Sequence, residues 1–104
     1  MMFTKQQVHV LLILWVVKRP VTHEEIERMA VAVKYNDTPQ GLRSRMVDLE
    51  RSGHVYRVDR KGVNSQHRHC WRFALTYNGR KAVKDLFDKT QNIDIMDISH
   101  IVRR

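Results

Sequence analysis

The sequence predicts a mainly helical α+β domain, with a three-helix core, a β-hairpin, a further helix and a short tail. Three observations predict it. Leu42, Met46 and Leu49 recur at i, i+4, i+7 behind a Thr38-Pro39 start, the spacing of one buried stripe on a helix of about four turns. Val10 to Val17 (VLLILWVV) is apolar without a break, as in a helix buried on most of its sides. After Gly53 the pattern changes to Val55, Tyr56, Val58 and later to Trp71 through Leu75, which reads as two strands.

Taken in order, Thr4 with Gln7 three residues on forms a capping box that opens the first helix. Pro20 ends it, and Lys18 and Arg19 suit its negative C-terminal end. Thr22 with Glu25 is a second capping box, opening a short helix to about Ala32 whose stripe is Ile26, Met29, Ala30 and Val33. Glu24, Glu25 and Glu27 are expected on its exposed N-terminal turn. Lys34-Tyr35-Asn36-Asp37 is a polar connection, and Met29 to Thr38 makes a long turn before the next helix. Thr38 is then the N-cap and Pro39 the first residue of a helix over 39–52, with Gly53 at the position of a C′ glycine. Two short helices joined by a turn, the second with Arg and Ser on its free face, read as a helix-turn-helix.

Strands at Val55–Asp59 and Trp71–Leu75 flank Arg60 to Arg68, a polar stretch with Gly and Asn that predicts a hairpin with a flexible basic tip. Trp71 and Phe73 should share one face of the returning strand, and Cys70, Arg72 and Ala74 the other. Thr76 caps a last helix with Val83, Leu86 and Phe87 as its apolar positions. The domain so defined covers residues 1–89. Residues 90–104 form a tail whose Ile93, Ile95, Met96, Ile98, Ile101 and Val102 have no clean period. The first helix and this tail hold more apolar surface than a three-helix core needs. A homodimer interface is the preferred account, and packing on the same chain is the other.

The 104 residues correspond to one domain. With 19 Lys+Arg against 11 Asp+Glu, the net charge is +8 and the pI near 10.2, a balance that points to nucleic acid or another anionic surface. Cys70 is the only cysteine, so no disulfide can form within the chain, which fits a cytoplasmic setting. The Val10–Val17 run is far short of the ~20 residues that cross a bilayer, and it lacks the flanks of a signal peptide. No membrane association is expected.

Three phrases resemble the winged helix-turn-helix superfamily. LERSGHVYRV at Leu49–Val58 is similar to its Leu-Glu-x-x-Gly-hydrophobic-Val phrase, where a recognition helix passes into the first wing strand. FALTYNGRKAVKDL at Phe73–Leu86 is similar to the Leu-Thr-x-x-Gly-Arg phrase, where the second wing strand passes into the next helix. GLRSRMVDL at Gly41–Leu49 resembles recognition helices of small prokaryotic and phage members, distantly MarR-like. The phrases cover nearly half the chain in the right order. The resemblance implies a small transcriptional regulator that binds double-stranded DNA, without MarR-type effector sensing. The long Met29–Thr38 connection departs from the pattern, and so does the lack of a long C-terminal dimerisation helix.

On that reading the DNA-binding residues are Thr38, Gln40, Arg43, Ser44, Arg45, Arg57, Arg60, Lys61 and Arg68. Arg43 can fork onto guanine, Gln40 can read adenine, and Ser44 can serve a base or a phosphate. Val47 and Arg51 share their side of the helix. Arg45, at the edge of the apolar stripe, takes a phosphate or an internal ion pair. Thr38 and the helix start offer a place for a phosphate. In the 59–69 wing, Arg57, Arg60, Lys61 and Arg68 can straddle phosphates or enter a minor groove, diluted only by Asp59. His67, His69 and Cys70 lack the second ligand pair a structural metal needs, so no metal or cofactor is expected. Nothing pairs a nucleophile with a base, so no enzyme is expected. The competing expectation is a protein-interaction module that binds and redirects a host protein.

Overall fold

The computed structural model describes residues 3–34 and 37–90. Among them the chain is α+β and mainly helical: α1 (Lys5–Val17), α2 (His23–Ala32), α3 (Pro39–Arg51), β1 (Val55–Val63), β2 (His69–Leu75) and α4 (Tyr77–Thr90). The tail expected to mediate dimerisation or packing lies outside the described residues, as do Tyr35 and Asn36 of the connection.

Both capping boxes close as expected. Thr4 Oγ1 accepts from the Gln7 N–H at 3.1 Å while the Gln7 side chain accepts from the Thr4 N–H at 2.9 Å. Thr22 and Glu25 repeat the exchange at 3.2 and 3.3 Å. α1 stops where Lys18 turns into the left-handed region at φ 59, its N–H returning to the Leu14 carbonyl. Val10 through Leu14 are all buried, and α1 packs against α2, α3, α4 and β2. It is the spine of the core. The stripes of α2 and α3 face it: Ile26 and Ala30 from one, Leu42, Met46 and Leu49 from the other. Met29 and Val33 are only partly buried. α2 ends at Ala32 as expected, so the first four residues of the Met29–Thr38 stretch are helix.

The hairpin is longer than its sequence suggests. β1 runs on through Arg60, Lys61 and Gly62 to Val63, and the turn shrinks to residues 64–68. Two register shifts, between Arg57 and Asp59 and between Asp59 and Gly62, account for nine residues of β1 facing seven of β2. Such bulges bend a strand and increase its twist, which hides its alternation from a sequence reading. The tip is also fastened. Ser65 donates its N–H and its hydroxyl to the Glu24 carboxylate, both at 2.9 Å, so the expected flexible tip is held against the start of α2.

A third pairing joins the sheet to the core. Val21, between α1 and α2, exchanges both backbone hydrogen bonds with Phe73 of β2, at 3.0 and 2.7 Å. β2 therefore has neighbours on both sides. Phe73 is buried, but Trp71, two residues along the same face, is 36% exposed because the strand has by then passed beyond the core. The α3–β1 and β2–α4 corners meet at one joint. Thr76 donates its hydroxyl to the Gly53 carbonyl (2.6 Å) and its N–H to the His54 carbonyl (3.1 Å), and accepts from the Gly79 N–H (3.0 Å). A side chain on Gly79 would run into the His54 carbonyl. Gly53 adopts φ 82, the left-handed backbone that ends α3.

Candidate nucleic-acid interface

α3 presents its basic face by elimination. Because Leu42, Met46 and Leu49 point into the core, Gln40, Arg43, Ser44, Val47 and Arg51 point outward, and all five are exposed. Thr38 Oγ1 accepts from the Gly41 N–H at 2.9 Å, as an N-cap should. The anionic slot at this helix start is occupied from within the chain. The Asp37 carboxylate accepts from the Thr38 N–H at 2.8 Å and lies where a side chain on Gly41 would be. It also faces Arg45, whose Nε is 3.9 Å away in a half-buried contact that fits the internal ion pair among that residue's two expected roles.

Arg43 is loosely held. Its Nε lies 3.8 Å from Glu27 Oε1, too long for a hydrogen bond, and pairs this exposed contribute about 0–1 kcal/mol. It is therefore free to leave for a stronger anion. Arg57 is more firmly placed. It bonds Glu50 of α3 at 2.9 Å, and its guanidinium stands 5.4 Å from the Trp71 ring centre and 5.9 Å from that of Phe73. Glu50 and Arg57 thereby fix the angle between α3 and the hairpin.

The Arg60 guanidinium also stands 5.6 Å from the Trp71 ring centre, and Arg60, Lys61 and Arg68 make no ion pair among the described residues. Asp59, the one acid expected to dilute them, is neutralised within the sheet. Arg72 grips it with Nε and Nη2 at 2.8 and 2.6 Å. That grip and the Lys61 N–H hold the Asp59 carboxyl at about 2, well below the usual carboxylate range. The hairpin's other cations are left open to solvent.

The acids of α2 do not form the exposed turn expected of them. Glu24, Glu25 and Glu27 are all half-buried: Glu24 binds Ser65, Glu25 binds Thr22 and Arg19, and Glu27 faces Arg43. The Thr22–Glu25 exchange is the local capping box, whereas the partners of Glu24 and Glu27 lie far away in sequence, where no local pattern can register them. His23 is a further participant without a sequence signal. Its ring meets Phe73 edge-on at 4.7 Å, and burial, Arg43 and Arg57 together lower its pKa below 6.5 against a smaller opposing pull from Glu50. His23, Arg43, Glu50 and Arg57 thus mark where α2, α3 and β1 converge. Trp71 could have been suspected as an aromatic between basic strand residues. His67 and His69 are exposed near the tip, and no group of three potential ligands among the described residues could hold a metal ion.

No helix among the described residues is long and apolar enough to cross a membrane. Comparison with protein-family models, with curated proteins and with solved structures finds no match for this chain.

Proposed function

We propose that this protein is a winged helix-turn-helix module that binds double-stranded DNA in a regulatory rather than an enzymatic role. One observation carries the reading. The exposed edge of α3 holds a forked, weakly paired donor in Arg43 with Gln40 and Ser44 beside it, next to a hairpin whose Arg60, Lys61 and Arg68 have no counter-ion among the described residues. The Glu50–Arg57 pair, the Glu24–Ser65 bonds and the Val21–Phe73 bridge support it further, because they hold that hairpin at a set angle to α3. In a complex, α3 lies in the major groove. Arg43 leaves Glu27 for guanine O6 and N7, Gln40 takes adenine, and Val47 meets a thymine methyl. The hairpin cations lie on phosphates or in the adjoining minor groove, and Arg57 positions them through Glu50 and Trp71.

A second reading, a protein-binding module, draws on Val31. It is 77% exposed and shares a shallow hollow of about 470 Å³ with Pro39 and Arg28. Selection of bound duplexes from a random pool separates the two. Enrichment of one motif supports DNA reading, with Arg43→Ala flattening one position by ~1–3 kcal/mol and Lys61→Ala weakening all sequences alike. A pool that returns no motif, with both variants equal to wild type, favours the protein partner.

A further inference from the structure

A groove of about 430 Å³ lies where the end of α1 meets the sheet. Its floor is apolar, built from Trp15, Pro20, Tyr56, Ala74 and Leu75, and its edge carries Lys18, Arg19 and Arg80 with no acid among the described residues that line it. Arg19 is paired with Glu25 at 2.8 Å, whereas Lys18 and Arg80 make no ion pair among the described residues. The groove therefore offers an apolar surface beside two cations with no carboxylate partner among the described residues, Arg80 also donating to the Leu75 carbonyl at 3.4 Å. Its complement is an apolar, acidic segment.

The chain contains one. Ile93-Asp94-Ile95-Met96-Asp97-Ile98 intersperses four apolar residues with two carboxylates and carries no cation. It is also close at hand. Phe87, on the last turns of α4, has its ring centre 6.3 Å from that of Trp15, which lines the groove. α4 is described to Thr90, so two residues, 91 and 92, link its end to Ile93, and each can span up to ~3.3–3.6 Å. We propose that residues 93–98 dock in this groove, with isoleucines over the Trp15–Tyr56–Leu75 floor and Asp94 and Asp97 towards Lys18 and Arg80. A short tether supplies an effective concentration on the order of millimolar, which favours the chain's own segment over that of a second copy. The inference is independent of DNA binding.

The test uses the full-length chain carrying Trp71→Phe, which leaves Trp15 as the sole tryptophan. Ile95→Asp with Ile98→Asp should shift Trp15 emission to the red and raise its quenching by acrylamide roughly twofold, as apolar cover is lost. Unchanged emission and quenching would overturn the docking. A charge exchange checks it without touching apolar residues. Arg80 is exposed on the first turn of α4, where an acid suits the helix dipole, so Arg80→Asp keeps the fold. It should expose Trp15, and adding Asp94→Arg or Asp97→Arg should restore its cover; failure of both exchanges contradicts the proposal. Light scattering completes the test. A monomer whose Trp15 stays covered on dilution supports docking within one chain, and a dimer that loses the cover on dilution assigns the groove to a second copy instead.

Discussion

Glu24 on the first turn of α2 accepts two hydrogen bonds from Ser65 at the hairpin tip, 41 residues further along the chain. A carboxylate that takes both a backbone N–H and a hydroxyl from one residue acts as a clasp. It turns a two-stranded hairpin, marginal by itself, into an arm fixed to the helical core.

The clasp can be opened with little other disturbance. Glu24→Gln should lower stability by about 0.5–1.5 kcal/mol in urea unfolding and speed amide hydrogen exchange at Ser65 and Gln66. Under the proposed function it should also tighten DNA binding, because one negative charge leaves the neighbourhood of the phosphates. Unaltered exchange at the tip would mean that the clasp does not hold it.

The two corner glycines should fail differently. Gly53 has open space around its Cα but a left-handed backbone, so Gly53→Ala costs about 1–2 kcal/mol and Gly53→Asn less, since asparagine tolerates that region. Gly79 is helical and lies against the His54 carbonyl, so Gly79→Ala costs about 1–3 kcal/mol and Gly79→Asn at least as much. Urea midpoints of the four variants check the ordering. Equal sensitivity to Asn at both sites would contradict it.

His23 should report on the interface. Its folded pKa lies below 6.5 through burial and the fields of Arg43 and Arg57, while the unfolded chain restores the ordinary value. Below pH 6.5 the unfolded state therefore binds more protons, and stability falls as pH drops from 6.5 towards the folded value; above 6.5 His23 imposes no loss. An NMR titration should show this depressed pKa, and Arg43→Ala should raise it. Bound duplex should raise it further, since phosphates offset both arginines. A pKa indifferent to Arg43 would remove His23 from the cluster.

Much of this architecture is legible locally. Thr4–Gln7, Thr22–Glu25 and Thr38–Pro39 announce helix starts within four residues of sequence, and Leu42, Met46 and Leu49 announce a buried face by period alone. Each signal lives on one element. The features that set the candidate interface do not. Val21–Phe73, Glu24–Ser65, Glu50–Arg57 and Asp59–Arg72 each join elements or strands, and Glu24 and Glu27 look solvent-bound until their distant partners are known. Arg60-Lys61-Gly62 reads as loop because bulges suppress alternation, yet it continues β1. The exposed face of α3 was legible by subtraction; that Arg43 faces Glu27 across 3.8 Å and Arg45 faces Asp37 across 3.9 Å was not.

The central claim is that α3 and the hairpin together meet a DNA backbone. Fluorescence anisotropy of a labelled duplex, titrated with the full-length chain across a salt series, tests it most directly. With Arg60, Lys61, Arg68 and one or two α3 residues on phosphates, log affinity should fall against log salt with a slope of about −3 to −5, and Lys61→Ala should reduce that slope by about 1. Absence of binding at low salt, or a slope near zero that Lys61→Ala leaves unchanged, would contradict the account.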